Sequence, residues 1–368
     1  MDFQFSEEQV LLRDTTREML SRKYDPETRL KTIDSELGWS RDVWKQLAEV
    51  GVLGLGFDED AGGQIEVLAV LTEVGRRLAP EPVLHAALGP GALVAEVGSE
   101  QQRGLLDEVA AGERLLAFAH LEPGMRLPTA AVSTKAVREG DSWTLSGSKN
   151  PVLAGGSADT LIVSAQLPDG GTGLFLVDGA AAQRTPYRTF DGQRAAQIDF
   201  DSVAAEPLGE AADASEAITR ALVRISSGLC AEALGAMEEA LRLTSEYLTQ
   251  RKQFGVTLSK FQTLTQRAAD MYVSLELARS MTFYAAMSVA DENLDPTIAA
   301  RAKLQIGRSG RHIAQESIQL HGGIGVTAEY PISHYAARLT AIDHTLGSAS
   351  DQLHVLTGQL DDYEVVSL

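Results

Sequence analysis

Two short segments hold the residues best suited by type and spacing to ligand chemistry. The first reads Tyr247-Leu-Thr-Gln-Arg251-Lys-Gln253-Phe254-Gly255 and is followed by Phe261-Gln262. The second reads Gln319-Leu-His321-Gly322-Gly323-Ile-Gly325-Val-Thr-Ala-Glu329. A guanidinium is a rigid fork of donors matched to phosphate or carboxylate oxygens. Adjacent glycines let a backbone come close to a ligand where a Cβ would obstruct it. Each feature also has a purely structural reading. Arg251 could offset a helix dipole, and Gly322-Gly323 could simply stop a helix. Singly, the residues leave both readings open; together and in order they favour a binding site. No other constellation competes. His120, His321, His334 and His344 show no metal-ligand spacing, so no metal is expected. There is no Gly-x-Ser-x-Gly nucleophile elbow. Cys230 is the single cysteine, which rules out an internal disulfide and a multi-cysteine metal site. Its place beside Leu229 in a helical stretch reads as an inert buried thiol.

The elements that position these segments fall into three zones, with expected domains at 1–112, 113–212 and 213–368. The first zone is helical. Ser6-Glu7-Glu8-Gln9 fits a capping box, with Val10, Leu12, Met19 and Leu20 on the following apolar face. Ser40 is expected to cap a second helix bearing Val43, Trp44, Leu47 and Val50 and stopped by Gly51. Phe57 to Gly63 reads as a loop. Further helices are expected near 64–78, 81–97 with a break at Pro90, and 99–111 behind a capping box at Ser99. The second zone changes period. Val132 to Val137 and Trp143 to Gly147 read as strand, turn, strand. Thr160–Ala165, Gly173–Val177 and Ala196–Phe200 are further strand-length runs. Five to seven short strands without intervening helices predict a small antiparallel barrel or sandwich. The third zone is helical again. An unbroken helix over 213–250 would be about 57 Å long. Patterns near 258–290, 296–321 and 332–357 complete a four-helix bundle, with breaks at Phe254-Gly255, Asn293 to Pro296 and Gly322-Gly323. The fold class is therefore α+β. The acidic tail Asp361-Asp362-Tyr363-Glu364 reads as a solvated end.

Composition narrows the partners. Acidic residues number 51 against 32 basic, a net charge of −19 that repels phosphate backbones and anionic lipid. No nucleic acid and no membrane are expected. The opening MDFQFSEEQV lacks the basic and apolar regions of a signal peptide, and no apolar run reaches about 18 residues. A cytoplasmic location is the expectation.

The two segments, with their order and separation, resemble the acyl-CoA dehydrogenase family, whose C-terminal domain carries Arg-x-x-Phe-Gly and Gln-x-x-Gly-Gly-x-Gly. The resemblance extends over the chain through Phe5-Ser-Glu-Glu-Gln9, Gly51-Val-Leu-Gly-Leu55 and Gly147-Ser-Lys149. It implies the family fold: an N-terminal helical domain, a middle β-domain and a C-terminal four-helix bundle. It implies FAD as cofactor and an acyl-CoA thioester as substrate. A carboxylate base removes the α-proton while the β-hydrogen leaves as hydride to the flavin. Family FAD sites are shared between subunits. The resemblance thus assigns Arg251 to the pyrophosphate of a neighbour's FAD, with Gln253, Phe254, Gln262, Gln319, Gly322 and Gly323 around the nucleotide.

Other family features are missing. The β-domain has Ala119-His-Leu121-Glu122-Pro123-Gly124, with Leu121 where the family carries a flavin-binding threonine. No Gly-Ser-Asp turn follows, and no tryptophan follows Lys149. Counting from Gly322 and from Arg251 puts the family's two alternative base positions at Leu346 and Ile225, neither of which accepts a proton. No catalytic residue is therefore expected on this chain. Asp343, Asp351 and Glu232 lie near those positions and are the candidates for a relocated base. This asymmetry is similar to that of actinobacterial heterotetrameric dehydrogenases that act on bulky thioesters such as steroid side chains. It predicts a subunit that supplies the nucleotide half of a shared FAD site to a homologous partner carrying the carboxylate. A self-sufficient homomeric enzyme with a relocated base and a flavin-free scaffold are the alternatives.

Overall fold

The computed structural model describes residues 5–58 and 62–358, so Glu59, Asp60 and Ala61 of the expected loop and the acidic tail lie outside the described residues. Helix α1 (Glu7–Lys23) opens with the expected capping box, Ser6 and Gln9 each accepting from the other's backbone N–H. Helix α2 (Pro26–Asp34), capped by Asp25 with proline in its first turn, is an element absent from the expected helices. Helix α3 (Arg41–Glu49) is capped by Ser40, buries Val43, Trp44 and Leu47, and is followed by Gly51 at φ +77°. Helix α4 (Gln64–Arg77) ends on Leu78 in the left-handed region. Pro90 does not interrupt the next helix. It sits in the first turn of α5 (Gly89–Val97), directly after a π-helical turn over Leu84–Leu88. The widened turn accommodates a ring that would collide with the carbonyl four residues back. The 99–111 pattern divides at Gly104 into α6 (Glu100–Arg103) and α7 (Leu105–Ala110).

Seven strands follow: β1 (Leu116–Ala119), β2 (Lys135–Glu139), β3 (Ser142–Leu153), β4 (Thr160–Gln166), β5 (Thr172–Asp178), β6 (Gln183–Arg188) and β7 (Arg194–Pro207). The order β4-β2-β3-β7-β5 closes through a β4–β5 pairing, which makes a barrel, and β6 extends it from β7. Most pairs are antiparallel, as expected. The pairs β1–β4 and β2–β4 are parallel, because long connections return the chain to the same edge of β4. Leu145, Leu161, Val163, Phe175 and Ile198 fill the interior.

The C-terminal helices are α8 (Ser215–Gln250), α9 (Gln262–Ala290), α10 (Pro296–His321), α11 (Pro331–His344) and α12 (Ala349–Thr357). A two-residue hairpin, β8 (Lys252–Gln253) with β9 (Val256–Thr257), joins α8 to α9. The last expected helix is split between α11 and α12. Buried Lys303 donates to the Ile342 carbonyl at 2.5 Å, and the chain then turns through Leu346 (φ +60°) and Gly347 (φ +96°). An ammonium on those carbonyls satisfies the acceptors a helix end leaves open. The N-terminal helices and the bundle share one hydrophobic core, in which α4 lies across α8. The approach is close enough that a Cβ on Gly75 would stand 1.9 Å from the Glu232 carbonyl oxygen, and one on Gly235 1.8 Å from that of Thr72. No helix among the described residues is long and apolar enough to cross a membrane.

Candidate cofactor site and the cavity beside the barrel

Arg251 leaves the end of α8 in an extended conformation and enters the β8–β9 hairpin. The two-residue turn is Phe254 (φ +55°) and Gly255 (φ +84°). Positive φ at both positions gives the backbone twist that two-residue hairpins favour. It is an uncommon conformation for a bulky residue. Phe254 is left 92% exposed, touching Phe261 edge-on at 6.3 Å between centroids. The Arg251 guanidinium forms no ion pair or hydrogen bond among the described residues, and Gln253 donates to the adjacent Lys252 carbonyl. Gln262, Gln319, Gly322 and Gly323 are exposed as well.

The ends of α8 and α10 meet through an aromatic cluster. Tyr247 lies 4.4 Å from the His321 ring, and His321 lies 5.0 Å from Tyr330. His321 Nδ1 donates to the Ser317 carbonyl at 2.7 Å. This bond closes the last turn of α10. This places the Arg251 hairpin and the Gly322-Gly323 turn at the same end of the bundle, which is how the sequence pairs them.

The glycines provide a test of fit for a nucleotide. Gly322 has φ +66°, which its own backbone requires. Gly323 has no such requirement, and a Cβ on either residue would meet nothing within 4 Å. Packing within this chain gives Gly323 no reason to lack a side chain. An open backbone, an uncommitted guanidinium and three exposed glutamines suit a phosphate-bearing group approaching from outside.

A separate cavity of about 440 Å³ lies between the barrel and the bundle. Ile225 from α8 and Leu346 from the α11–α12 turn both line it. The two counted base positions thus converge on one cavity from distant parts of the sequence, and both present apolar side chains. None of the candidate relocated bases lines the cavity. Glu232 accepts from Arg338 Nη2. Asp343 accepts from Arg311 at 3.1 Å and from the Ala349 N–H at 2.9 Å. Asp351 completes the capping box of α12 by accepting from Ser348, and also accepts from Arg126 at 2.5 Å. Each carboxylate is held by a structural partner, so the structure gives no support to a relocated base.

Asp191 is the one carboxylate lining the cavity among the described residues, and the sequence pattern does not reveal it. It accepts from Arg338 Nη1 at 2.8 Å and from the Thr189 hydroxyl. Burial alone would raise its pKa, but Arg338 beside it pulls the carboxyl below its ordinary range. A carboxylate stabilised this way is a poor proton acceptor. Arg338 thus ties α11 to both Asp191 and Glu232. Sequence distance conceals this triad; the signal available was an arginine within the apolar pattern of α11. His85, in the π-helical turn, also lines the cavity and is likewise missed. Burial is the main influence pushing its imidazole down to about 3, with the Arg338 charge adding to it.

The barrel side of the cavity carries Leu121, Met125, Pro151 and Leu153. Leu121 presents a hydrocarbon where the family hydroxyl would stand. Glu122 turns inward instead, accepting from the backbone and hydroxyl groups of Ser133 and Thr134 and from Lys149 Nζ at 2.9 Å. Burial would raise the Glu122 carboxyl, but bonds from Ser133, Lys149 and Thr134 outweigh it and hold it at about 2. Burial lowers the Lys149 ammonium to about 8, against the pull of Glu122. This wall does not fit polar recognition of a flavin ring, in contrast to the exposed end of the bundle.

Comparison with known proteins identifies the family. The models for the N-terminal and C-terminal domains of acyl-CoA dehydrogenase match residues 6–113 and 216–354. The chain is 28% identical to the short-chain specific acyl-CoA dehydrogenase of Clostridium acetobutylicum, over 98% of this chain and 100% of that one. It is 30% identical to the mitochondrial short-chain specific enzyme of Sus scrofa, over 95% and 89% of the two chains. Among solved structures, a variant of the Tcur3481-Tcur3483 steroid ACAD superposes with a TM-score of 0.89 at 32% identity, covering 97% of this chain and 98% of that one. The ChsE4-ChsE5 complex from Mycobacterium tuberculosis shares the fold, with a TM-score of 0.91 at 24% identity over 99% and 100%. With its helical domain, β-barrel and helical bundle in this order, the chain belongs to the acyl-CoA dehydrogenase family.

Proposed function

We propose that this chain is one subunit of a heteromeric FAD-dependent acyl-CoA dehydrogenase. It supplies the nucleotide-holding half of a shared FAD site, and a homologous partner supplies the flavin-ring seat and the carboxylate base. Domain boundaries near residues 112 and 212 belong to the same reading. The observation that carries it is the convergence of Ile225 and Leu346 on one cavity, with no proton acceptor at either position.

The reaction removes a proton from the α-carbon of a CoA thioester and a hydride from the β-carbon, leaving a double bond between them. When bound, FAD supplies the acceptor for that hydride. The residues of this chain bind and orient. Arg251 offers its fork to the pyrophosphate, where the opposite charges attract and the planar geometry fixes direction. Gln253, Gln262 and Gln319 offer amide donors and acceptors, Phe254 an apolar face, and Gly322-Gly323 an unobstructed backbone. The α-proton has no acceptor here and passes to the partner's carboxylate. The similarity to a steroid ACAD supports a bulky acyl group.

The test is Arg251→Ala in this chain, co-expressed with its partner. Loss of a charge-assisted contact weakens binding by about tenfold or more, so flavin content of the purified complex falls. Undiminished flavin in a correctly assembled complex would overturn the proposal.

A further inference from the structure

We propose that three rings, Tyr247, His321 and Tyr330, position the nucleotide half-site by fixing the Arg251 hairpin against the Gly322-Gly323 turn. His321 is the main positioning residue, and it acts through the backbone it holds, not by touching the cofactor. The inference rests on the shared-site reading above, since it concerns how that half-site is kept in register.

The two ligand-bearing segments need such a device. Arg251 to Val256 are exposed, and so are Gly322, Gly323 and Ile324. They stand at the ends of different helices and are fixed at their roots. The Tyr247 carbonyl accepts from the Arg251 N–H at 2.8 Å. His321 directly precedes Gly322 and is only 4% exposed. The turn curls back over it, so that a Cβ on Gly325 would stand 3.0 Å from His321 Cβ. Tyr330 ends that turn as the residue before α11. The rings close a triangle, with centroids 4.4 Å apart for Tyr247 and His321, 5.0 Å for His321 and Tyr330, and 6.4 Å for Tyr247 and Tyr330. One turn deeper, the Thr244 hydroxyl donates to the Ser317 hydroxyl at 3.2 Å. The register of α8 on α10 is thus set at two successive levels.

The identity of His321 carries the argument from packing to orientation. Its Nδ1 donates to the Ser317 carbonyl at 2.7 Å, while Nε2 is buried with no hydrogen-bond partner among the described residues. Leaving a buried nitrogen unmatched is unfavourable, and each case calls for a cause. A phenylalanine would fill the same space between the tyrosines without that cost. It could not donate to Ser317, and that bond fixes the rotation of the ring and with it the approach of both tyrosines. The histidine therefore meets a geometric requirement that packing alone does not impose. Two contacts on one ligand reinforce each other only when their separation matches the ligand. Loosening the brace thus weakens binding without removing any atom that touches the nucleotide.

The experiment measures FAD affinity in the assembled complex, stripped of flavin and titrated back, for Arg251→Ala, His321→Phe and the two combined. Each single variant should bind FAD about tenfold more weakly. The double variant should be little weaker than either, because an Arg251 out of register contributes little. The His321→Phe complex should melt no lower than the parent, which separates positioning from folding. Tyr330→Leu opens the triangle from the other side, and it should show the same non-additivity if His321→Phe fails to assemble. Losses that multiply, to about a hundredfold in the double variant, would overturn the inference, as would unchanged affinity in His321→Phe. In both cases the Arg251→Ala loss stands, and the shared-site reading with it. No loss in Arg251→Ala overturns both, so the two failures are distinguishable.

Discussion

Glu122 follows Leu121, the position at which the family resemblance suggests a flavin contact, and its carboxylate is fully engaged by Ser133, Thr134 and Lys149 inside the barrel. It stabilises the fold and takes no proton. Glu122→Gln leaves the buried Lys149 ammonium without its counter-charge, and breaking such a pair costs about 3–5 kcal/mol. Chemical denaturation should show that loss, and Glu122→Gln with Lys149→Met should recover most of it. The pH dependence has a definite sign. The folded Glu122 pKa of about 2 lies below its ordinary 4.5, so its contribution is complete above pH 4.5 and is lost as pH falls toward 2. Glu81 runs the other way. Burial raises it to about 7, despite bonds from Tyr24 and Ser40, and its Oε2 has no partner. The folded state therefore holds this proton more tightly, and stability declines as pH rises from 4.5 through 7. Glu81→Gln should flatten that decline in melting experiments across the range. At this scale local motifs single out Arg251 and the glycines, which the structure leaves exposed at one end of the bundle. The sequence also locates Ile225 and Leu346 by counting. Asp191, Arg338 and His85 come from three distant elements and meet only in the folded chain, which no local pattern encodes.

Among the elements, the crossing of α4 and α8 positions the centre of the molecule. It brings Gly75 against the Glu232 backbone and Gly235 against that of Thr72. Alanine in a helix interior is ordinarily favoured over glycine by about 1 kcal/mol. At Gly235 the collision outweighs that gain, and Gly235→Ala should lower stability by about 1–3 kcal/mol, measurable as a reduced denaturation midpoint. Capping boxes at Ser6 and Ser99 and the Ser40 cap are legible because they join fixed residue types at fixed spacing. Helix α2 carries the same kind of signal in Asp25-Pro26-Glu27, but it is short and has little apolar periodicity to draw attention. The split between α11 and α12 is hidden because the apolar pattern continues through the break, while the cause is Lys303 on another helix. The parallel strand pairs are hidden for a related reason. Strand period indicates which face is buried and is silent on which distant strand supplies the neighbour.

The whole molecule is asymmetric in its equipment. One end of the bundle exposes Arg251, Phe254 and the open glycine turn, while the cavity beside the barrel has hydrocarbon side chains at both counted base positions, Ile225 and Leu346, and at Leu121. Under the proposed reading, such a chain is completed by a partner with the opposite endowment. The net charge of −19 weighs against phosphate-rich polymers as that partner and is compatible with a folded protein subunit. The most direct measurement is the visible absorbance spectrum of this chain purified alone and purified with its homologous partner. The account predicts flavin bands in the complex and none in the lone chain, with bleaching by acyl-CoA in the complex. A flavin bound to the lone chain and reduced by acyl-CoA would contradict it.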